Sequence, residues 1–283
     1  MTERAADARH WDDLSEQSRR WGLALPDGDP FRMLEGPVAM AGRSARNAVV
    51  LQPMEGADGE EDGSPGPLTL RRYRRFAESG AGLAWLEATA VDPAGRANPR
   101  QLRLHPGNRS RFADMARMIR DISLDRWGFA PLLLLQLTHS GRYARPASLP
   151  PDRLSAGDRA ALPARFAETA ELALDAGLDG VDIKACHGYL LSETLRDGPG
   201  LLLECVGAVR SRCGEAALLS CRLNLYDGIP DEPGFGSDPL AAADDPVSGP
   251  AAVARSLEAA GVRLFNATMG NPYRNPHVNR PFD

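Results

Sequence analysis

The chain has 283 residues, enough for one large domain or two small ones, and 43% hydrophobic with 25% charged residues is typical of a globular protein. A net charge of −5 and the lack of a long basic run argue against nucleic acid as a partner. The charged N-terminus lacks the apolar core of a signal peptide, and no apolar run is long enough to span a membrane. We therefore expect a cytoplasmic protein with no membrane partner.

The sequence predicts an N-terminal helical extension over residues 1–29 and one domain over residues 30–283. Within this domain, strand and helix patterns alternate from residue 48 onward. In chain order the pattern predicts strand Ala48–Pro53, helix Thr69–Ser79, strand Leu83–Ala88, helix Arg111–Ser123, strand Pro131–Leu137, helix Pro163–Ala176, strand Gly180–Lys184, helix Gly200–Arg212, strand Leu218–Asn224, helix Pro250–Ala260 and strand Leu264–Thr268. Repeated strand–helix–strand units form a parallel sheet with helices outside. Two α/β architectures fit this order, a doubly wound open sheet and a (β/α)8 barrel.

Polar residues interrupt the C-terminal ends of three predicted strands. They are Gln136 after "PLLLL", Asp182 and Lys184 in "VDIK", and Arg222 and Asn224 in "SCRLN". Residues two apart in a strand point to the same face, so each polar set lies opposite its apolar neighbours. In a barrel these polar sets would converge in the lumen at the C-terminal mouth, where barrel enzymes have their active sites. No glycine-rich phosphate turn follows the first strand, which argues against a dinucleotide-binding open sheet.

Two further features concern the loops and the cysteines. Long polar loops over residues 56–67 and 227–250 would lie at this mouth. Each loop either is an ordinary solvated connection or acts as a lid or a ligand-binding element. Four cysteines show no C-x-x-C pair and no zinc-finger spacing with histidine, namely Cys186, Cys205, Cys213 and Cys221. We expect reduced core thiols and no metal site.

Five collinear segments each end a predicted strand: "NAVVLQPMEG", "EATAVDPAGRANPRQL", "LLLQLTHSGRY", "GVDIKACHGYLLSE" and "FNATMGNPYRNPHVNRPFD". In these segments the chain resembles the old yellow enzyme family of flavin oxidoreductases, in the branch that contains the bacterial dienoyl-CoA reductases. The family fold is a (β/α)8 barrel that holds FMN at its mouth, in agreement with the strand alternation. The resemblance therefore implies FMN as cofactor and NADH or NADPH as electron donor.

The resemblance also implies which residues bind the flavin ring. Pro53, Met54 and Glu55 would border the ring from the first strand. Ala88 would contribute a backbone contact, and Gln136 would hydrogen-bond the pyrimidine side.

Arg222 would lie at the N1–C2 carbonyl edge of the flavin and stabilise the negative charge of its reduced form. Independently of the family, an arginine in a barrel lumen needs an anionic or carbonyl partner to offset its desolvation. Asp182 is the alternative partner, in a purely structural ion pair.

Lys184, His187 and Tyr189 correspond to the substrate pocket and the catalytic groups. Lys184 and His187 would hydrogen-bond the carbonyl or other acceptor oxygen of an activated alkene, which stabilises negative charge there while hydride from flavin N5 reaches the β-carbon. Tyr189 would protonate the α-carbon as general acid. The family usually has histidine where this chain has Lys184. An ammonium group can donate to an oxyanion, and a lumen position can depress its pKa, so the substrate preference would differ.

The sequence departs from the family pattern in two places, and both concern whether the barrel is complete. The loop after "HGYLLSE" is shorter than usual, and the sequence stops at Asp283, soon after the sixth predicted strand. We expect an incomplete barrel of about six βα units whose first and sixth strands do not pair, and no iron–sulfur cluster. The family's phosphate-binding loops follow its seventh and eighth strands. Each phosphate hydrogen bond contributes about 1.5–3 kcal/mol, so losing two or three would weaken FMN binding by on the order of 3–8 kcal/mol.

The sequence thus predicts an FMN-dependent NAD(P)H oxidoreductase that reduces an activated C=C bond of a small-molecule alkene. The alternative is a noncatalytic truncated or decayed barrel that acts as a binding or assembly module. A homo-oligomer or a complementing chain remains open as a partner.

Overall fold

Six consecutive parallel strands form the main sheet, and a short antiparallel hairpin precedes them. The computed structural model describes residues 16, 18–20, 22, 34–229, 235–236 and 248–276. Its strands are β1 (Val38–Met40), β2 (Arg43–Ala45), β3 (Val50–Leu51), β4 (Leu83–Ala90), β5 (Leu132–Thr138), β6 (Gly180–Ala185), β7 (Leu218–Tyr226) and β8 (Leu264–Met269). The predicted extension over 1–29 and the loop over 227–250 lie mostly outside the described residues, so the domain boundary stays a prediction.

The helices follow the strands in alternation. They are α1 (Pro67–Ala77), α2 (Arg109–Trp127), α3 (Ala156–Asp175), α4 (Leu190–Thr194), α5 (Gly200–Cys213) and α6 (Ser248–Ala259). Short 3-10 turns lie at Pro93–Gly95, Pro106–Asn108, Gly141–Tyr143 and Pro151–Arg153. Among the described residues, no helix is both long and apolar enough to cross a membrane.

The sheet order is β3-β4-β5-β6-β7-β8, with every pair parallel, which confirms the predicted succession of barrel strands. In the described part of the chain, β3 and β8 are not hydrogen-bonded to each other through their backbones. The sheet nevertheless curves enough for Asn266 Nδ2 to donate a hydrogen bond to Gln52 Oε1 at 2.8 Å. These side chains come from the last strand and from the residue that follows β3. The described residues therefore form an incomplete barrel with a shared concave side, which we call the lumen.

Alternation along the strands divides their side chains between two environments. Leu133, Leu135 and Leu137 of β5 belong to the large apolar core that also contains helix residues such as Phe112 and Phe166. The residues between them point into the lumen, whose lower end is filled by a second apolar cluster of Leu83, Trp85, Leu134 and Leu218. Met40 of the β1–β2 hairpin packs against this cluster. The hairpin, which the sequence analysis did not predict, thus covers the N-terminal end of the lumen.

Helix α3 begins earlier than predicted. The sequence pattern predicted a helix over Pro163–Ala176. Instead, Ser155 caps the helix by accepting a hydrogen bond from the Asp158 N–H at 3.0 Å, and Pro163 lies inside it. The predicted start was wrong because the serine cap and the buried residues on both sides of the proline outweigh the backbone bond that proline removes. Of the four cysteines expected as core thiols, Cys186, Cys205 and Cys221 are buried free thiols, whereas Cys213 is only partly buried.

The close approach of β6 and β7 depends on a glycine. A Cβ atom added to Gly180 would lie 1.8 Å from the Leu218 carbonyl oxygen. We expect Gly180→Ala to lower the free energy of unfolding by roughly 3 kcal/mol, the upper end of the usual cost of overpacking. Urea unfolding midpoints measure this change.

The matched control is Gly207→Ala. Gly207 lies in the interior of α5, and within the described structure no atom outside the backbone of that helix lies within 4 Å of an added Cβ. Alanine favours helix over glycine by about 1 kcal/mol, so this variant should be as stable as the parent or more stable. Equal urea midpoints for Gly180→Ala and the parent would show that β6 and β7 can move apart to accommodate the added methyl group without a loss of stability.

Candidate active site

A cavity of about 660 Å³ opens at the C-terminal ends of β3, β6, β7 and β8. Its lining consists of Pro53, Met54, Glu55, Ala57, Ala97, Asn98, Lys184, His187, Tyr189, Arg222, Thr268, Pro272 and Tyr273. The structure thus brings together most of the predicted site residues, including all three predicted catalytic groups. Ala88 and Gln136 are the exceptions, since neither lines this cavity.

Gln136 lies deeper in the lumen and is fully buried. Its Nε2 donates to Asp182 Oδ2 at 2.7 Å, and Ser220 Oγ donates to Asp182 Oδ1 at 2.6 Å. Asp182 is therefore held by neutral donors, and burial raises the pKa of its carboxyl group. Among the described residues it forms no ion pair with Arg222, so the structural ion pair considered from the sequence is not present. Gln136 Oε1 has no hydrogen-bond partner in the described structure.

Ala88 is buried near the end of β4, where the register with β5 shifts between Leu86 and Thr89. A register shift leaves backbone groups outside the regular ladder. The predicted backbone contact of Ala88 with a flavin stays a prediction.

Glu55 lies on the loop after β3, and both of its carboxyl oxygens accept hydrogen bonds from the β4–α2 loop. Asn98 Nδ2 donates to Oε1 at 2.8 Å, and Gln101 Nε2 donates to Oε2 at 3.2 Å. Burial raises the pKa of Glu55, against the opposing effects of the Lys184 charge and these two hydrogen bonds. The side chain is therefore fixed in position and has an increased tendency to take up a proton.

A partly buried ion cluster supports the same loop on the side away from the cavity. Arg72 of α1 pairs with Asp58 at 2.7 Å and also with Glu87 of β4. Glu87 Oε2 in turn accepts a hydrogen bond from the Gly56 N–H at 2.9 Å. This chain of contacts connects helix, strand and loop, and so holds Pro53 and its neighbours at the cavity wall.

A tight turn after β6 places Tyr189 in the cavity. His187 has φ of +65° and Gly188 has φ of +69°, a pair of left-handed residues that reverses the chain before α4. A Cβ atom on Gly188 would lie 2.4 Å from Asn271 Nδ2, so the second position of the turn requires glycine. Tyr189 follows as the N-cap residue of α4 and is only 3% exposed.

Two tyrosines that the sequence analysis did not identify surround Tyr189. The hydroxyl of Tyr273 lies 3.0 Å from that of Tyr189, and the ring of Tyr143 stacks on that of Tyr273 with centroids 3.8 Å apart. Burial raises the pKa of all three phenols. Tyr143 follows β5 and Tyr273 follows β8, within the segments "HSGRY" and "GNPYRNP". Their position after strand ends was the signal that could have identified them.

Lys184 and Arg222 stand side by side on the cavity wall, because they are direct partners in the β6–β7 register. The Nζ atom of Lys184 lies 3.8 Å from the centroid of the Tyr189 ring, a cation–π contact. Burial lowers the pKa of Lys184. Arg222 Nη2 donates a long hydrogen bond of 3.5 Å to Thr268 Oγ1.

His139, which follows β5, is buried beside the mouth and predicts a pH dependence of stability. Its Nδ1 accepts a hydrogen bond from the Gly141 N–H at 3.2 Å, and burial lowers its pKa from 6.5 to about 4. Between these pH values the unfolded chain binds a proton that the folded chain does not. The free energy of unfolding should therefore fall as the pH drops from about 6.5 to about 4, by on the order of 3 kcal/mol from this group.

Urea unfolding at pH 7 and pH 4.5 measures this loss for the parent and for His139→Gln, which cannot take up the proton. We expect a smaller loss in the variant. His105→Gln, which changes a partly exposed histidine, serves as the control and should retain the loss seen in the parent. Identical losses in the parent and His139→Gln would mean that other groups account for the acid sensitivity.

Comparisons with known proteins support the resemblance to the old yellow enzymes. The chain is 28% identical over 179 residues to an NADPH dehydrogenase of Bacillus licheniformis, a match that covers 58% of this chain and 51% of that protein. The chain thus spans about half the length of the curated relatives that it matches. No model of a known protein family matches the sequence.

Solved structures show the same architecture. The old yellow enzyme of Trypanosoma cruzi aligns with a TM-score of 0.68 at 17% identity, over 90% of this chain and 78% of that one. A 2-naphthoyl-CoA reductase aligns with a TM-score of 0.70 at 17% identity, over 85% of this chain and 41% of that one. In sequence the chain is similar to the NADPH dehydrogenases. In fold the described residues form an incomplete (β/α)8 barrel of six consecutive parallel strands, similar to the barrels of these solved structures.

Proposed function

We propose that the chain is an FMN-dependent oxidoreductase of the old yellow enzyme type, which consumes NADH or NADPH and reduces an activated C=C bond of a small alkene. The observation that carries this proposal is the cavity at the strand C-termini, where Lys184, His187, Tyr189 and Arg222 share one wall. The similarity to an NADPH dehydrogenase supports the use of a reduced nicotinamide as electron donor.

The cavity wall fits a flavin ring by its chemistry. A planar ring with an amide-rich edge needs an apolar surface, paired donors and acceptors, and a cation near N1. Pro53 and Met54 provide apolar surface, Glu55 provides a carboxyl group, and Arg222 provides the cation. The Nε of Arg222 has no hydrogen-bond partner among the described residues, so the guanidinium retains a free donor. Bound FMN would supply hydride-transfer chemistry between the nicotinamide and the alkene.

The residues of this chain then have distinct tasks in the reduction. Lys184 and His187 donate hydrogen bonds to the acceptor oxygen of the substrate, which becomes more negative as hydride adds to the β-carbon. Tyr189 gives its hydroxyl proton to the α-carbon, so the alkene gains one hydride and one proton. Because burial raises the pKa of Tyr189, the phenol stays protonated at neutral pH. Tyr273 is 51% exposed, and its hydroxyl contact with Tyr189 connects the acid to solvent for reprotonation.

Partner and location remain predictions from the sequence. We propose that further strands, from a second copy or a complementing chain, pair with the edge of β8, the last strand of the described sheet. Phe265 and Met269 of β8 are 36% and 51% exposed, which supports such a contact because exposed apolar strands readily associate. Cytoplasmic location is proposed on the sequence grounds given above.

Flavin binding is the first test of this function. FMN added to the purified chain should produce the flavin absorbance shift and fluorescence change of a bound ring. Arg222→Met should weaken binding by about 10- to 150-fold, the equivalent of about 1.5–3 kcal/mol for a hydrogen bond to a charged group. Arg117→Met is the control, since Arg117 is exposed on α2 and pairs there with Asp114.

The difference between the Kd values of riboflavin and FMN gives the contribution of the phosphate group to flavin binding. A chain that binds neither flavin would contradict the proposal and favour the noncatalytic barrel. Equal weakening by Arg222→Met and Arg117→Met would show that charge alone, not the cavity wall, controls flavin binding.

The catalytic acid is tested by Tyr189→Phe, which removes one hydroxyl and keeps the ring under the Lys184 ammonium group. Flavin binding and its reduction by NAD(P)H should persist, since neither uses the hydroxyl. Reoxidation of the flavin-loaded protein by an alkene substrate should slow by about two to four orders of magnitude, the usual contribution of a positioned general acid. Stopped-flow flavin absorbance follows both half-reactions.

Reoxidation by oxygen requires no protonation of an alkene and serves as the internal control. It should change little in Tyr189→Phe. Equal losses in both half-reactions would mean that the substitution damaged the cavity, and no loss in either would assign the proton to another donor.

A further inference from the structure

The two cations on the cavity wall lack the anionic partners that buried charges usually have. Among the described residues, neither Lys184 nor Arg222 forms an ion pair. Lys184 is only 6% exposed, and its ammonium group lies over the face of the Tyr189 ring. Arg222 has one long hydrogen bond to Thr268 and an Nε without a partner.

The nearest acidic groups are already bound to neutral donors. Within the described part of the chain, Glu55 is the one carboxyl group that lines the cavity, and its two oxygens accept hydrogen bonds from Asn98 and Gln101. Asp182 lies below, with its oxygens bound to Gln136 and Ser220. Burial raises the pKa of both carboxyl groups and lowers that of Lys184, so it disfavours the charged form of all three groups. Lys184 and Arg222 therefore lie together in the upper lumen without a paired carboxylate among the described residues.

An uncompensated buried cation is unfavourable, and the face of an aromatic ring compensates it only in part. A ligand with a negative charge removes this penalty, because it supplies the missing partner inside a low-dielectric cavity. The ammonium group of Lys184 lies beside His187 and Tyr189, where the activating group of a substrate would be placed. Arg222, as the adjacent register partner, increases the attraction for an anion at this position.

We propose that Lys184 makes the cavity selective for α,β-unsaturated carboxylates over alkenes activated by a neutral ketone or aldehyde. This inference rests on the proposed function, since it names the substrate class for the same cavity. Hydride addition to the β-carbon of such a substrate would place a second negative charge on its carboxylate oxygens. Lys184 offsets that charge, and the proton from Tyr189 at the α-carbon completes a saturated carboxylate.

Binding of benzoate and benzamide tests the charge preference directly. The two probes have similar size and planarity, but only benzoate is anionic at neutral pH. Calorimetric titration of the 283-residue chain, with and without FMN, should show benzoate binding at least about ten-fold more tightly than benzamide. Lys184→Met should weaken benzoate binding much more than benzamide binding and so remove this preference, whereas Lys184→Arg should keep it.

Arg117→Met removes an exposed cation of α2 that does not line the cavity, so it should leave the preference for benzoate intact. Unfolding midpoints establish that each variant is folded, and Lys184→Arg keeps the test valid if methionine destabilises the cavity. Equal affinities for the two probes, no binding of benzoate, or a preference that survives Lys184→Met would each overturn the proposal. FMN binding without a benzoate preference contradicts this inference alone. A benzoate preference without FMN binding contradicts the proposed function alone.

Discussion

The alternation of side chains along parallel strands is the constraint on which the rest of this structure depends. In β5 to β7, every second residue enters the apolar core beneath the helices, as Leu135, Ile183 and Leu219 do. The remaining residues must therefore enter the lumen, whatever their polarity. A shift of one residue in any strand would exchange the two sets, placing charges under the helices and leucines at the cavity. Gly180 allows this register at its pairing with Leu218, because a side chain there would collide with the Leu218 carbonyl oxygen.

The lumen is organised in layers along its axis. Its lower end is apolar and contains Leu134 and its neighbours, which close the N-terminal side. A hydrogen-bonded layer follows, where Asp182 accepts from Gln136 and Ser220. The upper layer contains the cations Lys184 and Arg222 together with the groups of the cavity wall. The middle layer satisfies a buried carboxyl group with neutral donors, and for this reason the cations above it remain available to a ligand.

Strand residues Lys184, Arg222 and Thr268 form part of the cavity wall, and loops form the rest of it. Two of these loops are fixed by contacts other than the hydrogen bonds between strands. Arg72 and Glu87 hold the loop after β3 through the Gly56 N–H. The turn after β6 uses two left-handed residues, one of which is the non-glycine residue His187. Such backbone positions are unfavourable by themselves and persist where surrounding contacts define them. The tyrosine cluster provides those contacts here, since Tyr189, Tyr143 and Tyr273 pack on one another.

The sequence by itself determined the features that depend on local pattern. Strand periodicity predicted the six strands in chain order, the sharing of one face by Asp182 and Lys184, and the grouping of Lys184, His187 and Tyr189 near a strand end. Only the tertiary structure decided which polar groups meet. The Tyr189–Tyr273 contact joins residues 84 positions apart, and the Gln52–Asn266 hydrogen bond joins residues 214 positions apart. Contacts of this kind depend on how strongly the whole sheet curves and on how loops from different strands pack, and neither property is contained in the periodicity of a single segment. The same reason explains why Gln136, on the predicted face of its strand, bonds to Asp182 below the cavity and does not line its wall.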